Sequence, residues 1–382
     1  MVRRTIGDLF TLAKVRKAVE VYSECVPGAS RYIQIEDLRT DNDLKFAIDP
    51  VGTAVVPEDI CIAWDGANAG TVGYGLDGLI GSTIARLRPI NETQVFTPYL
   101  ARYLQSQFKV LNQATAGATI PHVSRDKLMG LSPVLPDYAE QRRIAVTLDK
   151  ADSIQKKRRE AIKLVEDSIR SAFLQLLGNL PDVRVAIEEL LPATPNAIRT
   201  GPFGSQLLHS EFTDSGIPVL GIDNVVTNRF RWAERRYVSS DKYKELRRYR
   251  VFPGDVMITI MGTTGRACVA PPDLPESIST KHLCTITPDR QRLLPEFLWA
   301  SLLWDPLVRA QAAREGKGAI MEGWNMGIVR GLMIKLPSIA QQEHFAAFVR
   351  KSESLRIRLL AAEAESSQLL GSLAQREFSG QL

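Results

Sequence analysis

Cysteine is scarce in this chain: four residues in 382, namely Cys25, Cys61, Cys268 and Cys284, with no Cys-x-x-Cys pair. That excludes a disulfide-stapled scaffold and predicts free thiols, the pattern of a reducing cytosolic compartment. His282-x-Cys284 offers too few ligands for a structural or catalytic metal. No run approaches the roughly 18 apolar residues of a membrane span. No apolar core of signal-peptide length follows Met1-Val-Arg-Arg. Low-complexity segments are absent, and with 45% hydrophobic and 24% charged residues the chain is rich enough to bury more than one core.

Motifs of catalysis are missing too. There is no (Asp/Asn)-Pro-Pro-(Tyr/Phe) string of amino-methyltransferases; Pro271-Pro272-Asp273 lacks the aromatic. There is no phosphate loop, since Gly262-Thr-Thr-Gly265-Arg266 has the wrong length and no lysine. Asp305-Pro306 followed by Glu315-Gly316-Lys317 has the residue types of a metal-dependent nuclease. The stretch between them reads as helix, whereas that chemistry needs carboxylates converging from neighbouring strand ends.

What is present is a repeat. Pro57-Glu-Asp-Ile-Cys-Ile-Ala-Trp-Asp-Gly66 matches Pro253-Gly-Asp-Val-Met-Ile-Thr-Ile-Met-Gly262, a Pro-x-Asp turn feeding an apolar strand and a Gly-rich loop. Tyr32-Ile-Gln-Ile-Glu-Asp-Leu38 parallels Val219-Leu-Gly-Ile-Asp-Asn-Val225, and Pro98 and Pro295 each open a helix. Gly117-Ala118 pairs with Gly318-Ala319, and Leu135-Pro136 with Gln141 pairs with Leu336-Pro337 with Gln342. Order and spacing hold throughout, so the chain reads as two α+β modules, residues 1–137 and 181–338.

After each module the apolar period changes to three or four. Residues 138–180 and 339–382 each predict a long amphipathic helix, with Gly178 and either Gly371 or Gly380 as end signals. A stripe this long needs a partner. Antiparallel pairing of the two helices as a coiled coil is the favoured solution, through Ile144, Leu148, Ile154, Val165 and Ile169 against Phe348, Leu355, Leu359 and Leu369. Packing of each helix on its own module is the alternative. Paired helices would hold the modules as the jaws of a caliper, and duplex DNA presents two reading sites a fixed distance apart.

The net charge of +5 is unevenly spread. Residues 1–137 carry 14 basic and 15 acidic side chains, whereas residues 138–180 carry 9 and 6 and residues 181–338 carry 20 and 17. The densest basic cluster, residues 229–250, includes Arg235, Arg236, Lys242 and Lys244 interleaved with Trp232, Tyr237, Tyr243 and Tyr249. Such a cluster suits DNA phosphates, or equally a solvated hairpin or helix face. Base readout needs side chains that reach a groove. Loop candidates are Asn68, Tyr74, His122, Ser124 and Arg125 in the first module. In the second they are Arg199, Ser205, Gln206, Arg266, Lys281, His282 and Asn325.

With Gly201-Pro-Phe-Gly204-Ser205, Pro253-Gly-Asp255-Val-Met-Ile-Thr, Gly262-Thr-Thr-Gly265 and the two Leu-Pro-x-x-x-(Glu/Gln)-Gln strings, the chain resembles specificity subunits of type I restriction–modification systems. The resemblance implies two target-recognition domains reading double-stranded DNA half-sites, in a prokaryotic cytoplasmic phage-defence system. It implies two methyltransferase subunits and motor–nuclease subunits as partners. S-adenosylmethionine, ATP and Mg would sit on those partners; no cofactor, metal or catalytic residue is expected in this chain. The first module departs from the pattern: it has no Gly-Pro-Phe-Gly-Ser, and only 31 residues precede Tyr32 whereas 38 separate Pro181 from Val219. Its opening loop is therefore expected to be reduced. A coiled-coil adaptor without DNA specificity and the nuclease on Asp305 and Glu315 are the competing readings.

Overall fold

The computed structural model describes residues 4–14, 20–112, 121–316 and 323–379. Gly117-Ala118, Lys317, Gly318-Ala319 and Gly380 lie outside the described residues. The chain divides into two compact units, Met1–Arg159 with Ala361–Leu382, and Glu160–Leu360. The division cuts across both long helices, so each unit is a module plus one stretch of each helix.

In the first unit the strands are β1 (Phe10–Lys14), β2 (Val21–Tyr22), β3 (Ser30–Ile33), β4 (Lys45–Ala47), β5 (Ala54–Val55), β6 (Ile60–Ala63), β7 (Val72–Tyr74), β8 (Gly78–Ile80) and β9 (Ile84–Pro89). They form a four-stranded sheet, β1-β9-β6-β7, and a five-stranded sheet, β2-β4-β3-β8-β5, in which β3 and β8 run parallel. Helices α1 (Ile6–Leu9), α2 (Thr97–Ser106), α3 (Phe108–Leu111) and α4 (Arg125–Gly130) complete the module, and α5 (Tyr138–Gly178) leaves it.

The second unit repeats this order. Its strands are β10 (Arg184–Ala186), β11 (Ile198–Thr200), β12 (Phe212–Thr213), β13 (Ile217–Leu220), β14 (Tyr237–Val238), β15 (Arg250–Val251), β16 (Val256–Thr259), β17 (Ala267–Val269), β18 (Ser277–Ser279), β19 (Leu283–Ile286) and β20 (Met333–Lys335). The sheets are β11-β19-β16-β17 and β12-β14-β13-β18-β15, strand for strand the arrangement of the first unit, with β13 and β18 parallel. The additional pair β10-β20 edges this module. Its helices are α6 (Ser240–Leu246), α7 (Pro295–Trp304), α8 (Pro306–Gly316) and α9 (Met326–Gly331), followed by α10 (Ile339–Ser379).

The matched apolar strands β6 and β16 are buried on both faces, which explains why their sequences do not alternate. Alternate residues feed two cores. Ile60 and Ile62 pack with the α2 residues Tyr99 and Leu100, while Cys61 and Ala63 pack with Ile33 and Ile80 of the other sheet. Val256 and Ile258 pack with Phe297 and Leu298, while Met257 joins Leu220 and Cys268.

Both long helices have 41 residues, about 60 Å at 1.5 Å per residue. Asp137 caps α5 by accepting from the Glu140 N–H at 2.8 Å, and Ser338 occupies the matching place before α10. Gly371 lies inside α10, so it is not an end signal. In the first unit the end of α10 runs beside the start of α5 in the opposite sense. Gln155 donates to Ser367 at 3.4 Å, Arg158 donates to Ser366 and to the Ala362 carbonyl, and Arg159 meets Glu363 at 2.7 Å. In the second unit Phe173 of α5 meets Phe345 of α10 at a ring separation of 5.9 Å.

The expected apolar seam is corrected in detail. Ile144 and Leu148 are buried in the first module's own core, and Ile169, with Val165 beside it, in the second's. Leu359 is half-buried, whereas Ile154, Phe348, Leu355 and Leu369 are exposed, Leu369 at 69%. The helices therefore pack on their modules and against each other, and the apolar positions serve mainly the modules. Where α5 faces α10 around residue 158, the contacts are polar.

Candidate nucleic-acid interface

The second module holds a cleft of about 610 Å³ beside the β13-β18 pair. Pro202 and Gly204 of the Gly-Pro-Phe-Gly loop form one wall, and Arg236, Lys281 and His282 line it. Gly204 has φ +58°, a backbone state that favours glycine, and Ser205 and Gln206 stand exposed on the turn it opens. Gln206 is held there, its side-chain oxygen accepting from the Phe203 N–H at 3.1 Å and the Tyr249 hydroxyl at 2.7 Å.

Asp223 and Arg231 also line the cleft; Arg231 falls within the basic cluster 229–250, whereas sequence reasoning missed Asp223. Asp223 follows β13, where Asn224 ties the turn by accepting from the Gly221 N–H at 2.8 Å. Its carboxylate lies 3.3 Å from Arg236, a long, half-exposed ion pair. The one available signal was its place in the repeated Val219–Val225 string, which marks structure rather than contact. Burial, then the Lys281 and Arg236 charges, hold the His282 imidazole below its usual pKa, which favours its neutral form. Donors, an acceptor and a neutral imidazole around one concave surface can match the mixed donor–acceptor pattern of base edges.

The basic cluster is less free than its composition suggests. Lys242 sits between Glu211 at 2.8 Å and Glu245 at 3.0 Å, and Lys244 lies 2.8 Å from Asp241. Arg235 stacks over Trp232 at 4.6 Å and is exposed. Arg266 is exposed on the loop after β16. Asn325 caps α9, accepting from the Ile328 N–H at 2.9 Å.

In the first module the candidates gather at one tip. The residue pair Asp65 and His122 forms an isolated bridge, with His122 exposed, and the Gly66 N–H bonds the Pro121 carbonyl. Ser124 caps α4, as Asn325 caps α9, and Arg125 stands exposed beside it. Asn68 accepts from Arg39 at 3.1 Å, and Lys14 lies over the ring of Trp64, a core residue.

Two candidates are corrected. Arg199 is 5% exposed and its guanidinium is spent on Asp255, the Arg250 and Asn196 carbonyls and Thr287. Tyr74 packs beneath Arg102 and donates to Asp149 on α5; burial, then that hydrogen bond, push its phenol well above the usual range. Neither is available to a groove. The reduced opening loop is corrected as well. Leu12 and Ile198 hold matching register opposite Leu87 and Ile286, as Tyr32 and Val219 do opposite Leu79 and Ile278. The intervals between them are 20 and 21 residues, so the stretch from β1 to β3 is not shortened.

The nuclease residues are not brought together for catalysis. Asp305 is fully buried, bonds Arg184 at 2.9 Å and caps α8, at whose far end Glu315 is exposed. Among the described residues no helix is long and apolar enough to cross a membrane.

Residues 1–164 match the model of the type I restriction modification DNA specificity domain. The specificity subunit of the type I restriction enzyme MjaVIII from Methanocaldococcus jannaschii is 25% identical over 273 residues, 67% of this chain and 62% of the relative. The chain thus aligns with under two thirds of that relative's length. The EcoBI specificity subunit from Escherichia coli is 22% identical, over 92% of this chain and 79% of its own. The crystal structure of a type I restriction–modification S subunit from M. genitalium superposes with TM-score 0.65 at 15% identity, covering 99% and 96% of the two chains. A chain from a study of assembly and conformational transition of the type I R-M system gives 0.56 at 17%, covering 100% and 98%.

Proposed function

We propose that this chain, which belongs to the type I restriction–modification specificity family, is the DNA-reading subunit of such a complex and carries no catalytic site of its own. The observation that supports this most is the repetition of one nine-strand, two-sheet arrangement in both modules, each module followed by a 41-residue helix. Two copies of one reader suit a bipartite site, each module taking one half. The cleft around Asp223, Arg236, Lys281 and His282 serves the second half-site, and the tip around His122 and Arg125 the first.

The antiparallel helices act as a spacer that sets the unread gap. Two methyltransferase subunits supply S-adenosylmethionine chemistry on a flipped adenine, and motor–nuclease subunits join for restriction. The experiment is duplex binding by the full chain across a salt series. Affinity that falls steeply with salt is expected, because neutralised phosphates release counterions. Absence of duplex binding, alone and with the methyltransferase, would contradict the assignment.

A further inference from the structure

Apart from the reading cleft, the second unit has another hollow, of about 570 Å³, where three elements meet. Arg266 reaches it from the loop after β16, Arg170 from α5 and Arg309 from α8. Thr263 and Thr264 add hydroxyls to the rim, and no aspartate or glutamate lines it. All three arginines are exposed. Among the described residues none of the three has an ion-pair partner, and Arg309 has only a weak bond, 3.4 Å, to the Leu303 carbonyl.

The loop is shaped for close approach. Gly262 and Gly265 have φ of +73° and +77°, and a Cβ on Gly265 would lie 3.1 Å from the Trp324 ring. An adjoining hollow shares Arg170, Asn228 and Trp304. It holds Glu166 and Asp167, together with Arg229, whose Nη2 is a buried donor without a hydrogen-bond partner. The acids are confined to that side lobe. The larger hollow presents only cationic and neutral groups.

Three guanidiniums around one concavity repel one another unless an anion joins them. Their planar forks match the oxygens of phosphate, which accept two parallel hydrogen bonds from one arginine. A space of this size exceeds a lone phosphate and accommodates a stretch of sugar–phosphate chain. We propose that this hollow is a phosphate clamp, in which Arg170, Arg266 and Arg309 grip the backbone of bound duplex DNA without reading sequence. The clamp rests on the DNA-reading assignment above and adds to it a site on the helix side of the module. Because Arg170 belongs to α5, the clamp fastens DNA to the spacer helix as well as to the module.

The test uses the full chain and a fluorescent 30-base-pair duplex of arbitrary sequence, titrated at several salt concentrations. Replacing all three residues, Arg170→Gln, Arg266→Gln and Arg309→Gln, should lower the slope of log affinity against log salt by about 1–3, at about 0.9 per phosphate. The loss should be the same for every duplex sequence, and the matching lysine substitutions should keep most of the slope. Should the triple variant fail to fold, Arg266→Gln alone is read by the same slope, with a fall of about 0.9.

A wild-type chain that binds no duplex, alone and with the methyltransferase, overturns both the clamp and the DNA-reading assignment. A wild-type chain that binds, with a variant of unchanged slope, overturns the clamp alone. An unchanged duplex slope with loss of pyrophosphate binding by calorimetry would mark a site for free anions, and would also overturn it. So would an unchanged slope with loss of methyltransferase co-purification, which would make the hollow a protein-docking surface.

Discussion

Gln141 and Gln342, 201 positions apart, make the same three hydrogen bonds in the two units. Each lies in the first turn of its long helix; the side-chain oxygen accepts from a loop N–H, Phe96 at 2.9 Å or Leu294 at 2.8 Å. Each amide donates to a carbonyl two residues before that N–H, Gln94 or Arg292, and to the proline carbonyl before its own helix, Pro136 or Pro337. Both glutamines are buried, at 1% and 0% exposure. The motif thus fastens the helix to the loop ahead of α2 or α7, and an amide is the one group with both an acceptor and two donors there.

Gln141→Ala or Gln342→Ala should therefore destabilise the chain by about 2–4 kcal/mol, since three bonds are lost and a buried N–H is left unpaired. Equilibrium denaturation measures this. A cost below about 0.5 kcal/mol would show that water replaces the amide.

Arg199 and Asp255 form a buried ion pair, at 5% and 1% exposure. Burial raises the Asp255 pKa, opposed by Arg199, the Phe252 N–H and Thr287. Arg199→Ala leaves that carboxylate uncompensated and should cost about 3–5 kcal/mol, whereas replacing both residues with apolar ones should cost less. A double-mutant cycle in urea checks it. A folded Arg199→Ala chain of full stability and altered DNA preference would restore Arg199 as a reading residue.

Much of this architecture was legible because repetition is a signal independent of propensity. The Pro-x-Asp string proved to be a strand anchor: Asp59 accepts from the Val56 N–H and takes Arg88, and Asp255 accepts from the Phe252 N–H and takes Arg199. What could not be read was the use of each polar side chain. Arg199 and Arg235 are alike in sequence, yet one is buried in β11 and the other stacks on Trp232 in the open. The difference comes from pairings across dozens of residues. Helix stripes misled for a related reason: period shows which face is apolar, not whether a module or a second helix covers it.

Within the basic cluster the arginines and lysines should separate. Arg235→Ala with Arg236→Ala should lower the salt slope of duplex binding by about 1–2. Lys242→Ala with Lys244→Ala should change it less, because Glu211, Glu245 and Asp241 already balance those charges. Equal effects would mean that the lysines leave their carboxylates on DNA.

A fragment of residues 1–180 should dimerise. Leu370, Leu373, Ala374 and Phe378 of α10 cover the first module's core, and the positions 201 earlier are Ile169, Ala172, Phe173 and Leu177. Those cover the second module's core in the intact chain. In the fragment a second copy can supply them, avoiding about 1.5–3 kcal/mol per exposed large apolar side chain. Phe173→Lys should return the fragment to a folded monomer in sedimentation equilibrium. Leu148 is unsuitable for that purpose, being 2% exposed within the module core. A wild-type fragment that stays monomeric at high micromolar concentration would contradict the exchange.

The central claim, that each module reads half of one site, is tested by mapping methylated adenines in DNA from cells expressing this chain with its methyltransferase partner. The account predicts a two-part motif with a fixed gap. Substitution of Asp223 by Ala, or of Arg236, Lys281 and His282 together, should relax or alter one half only. The unsubstituted half and the gap should stay as they were. A continuous motif, or simultaneous change in both halves on altering the second module's cleft, would contradict it.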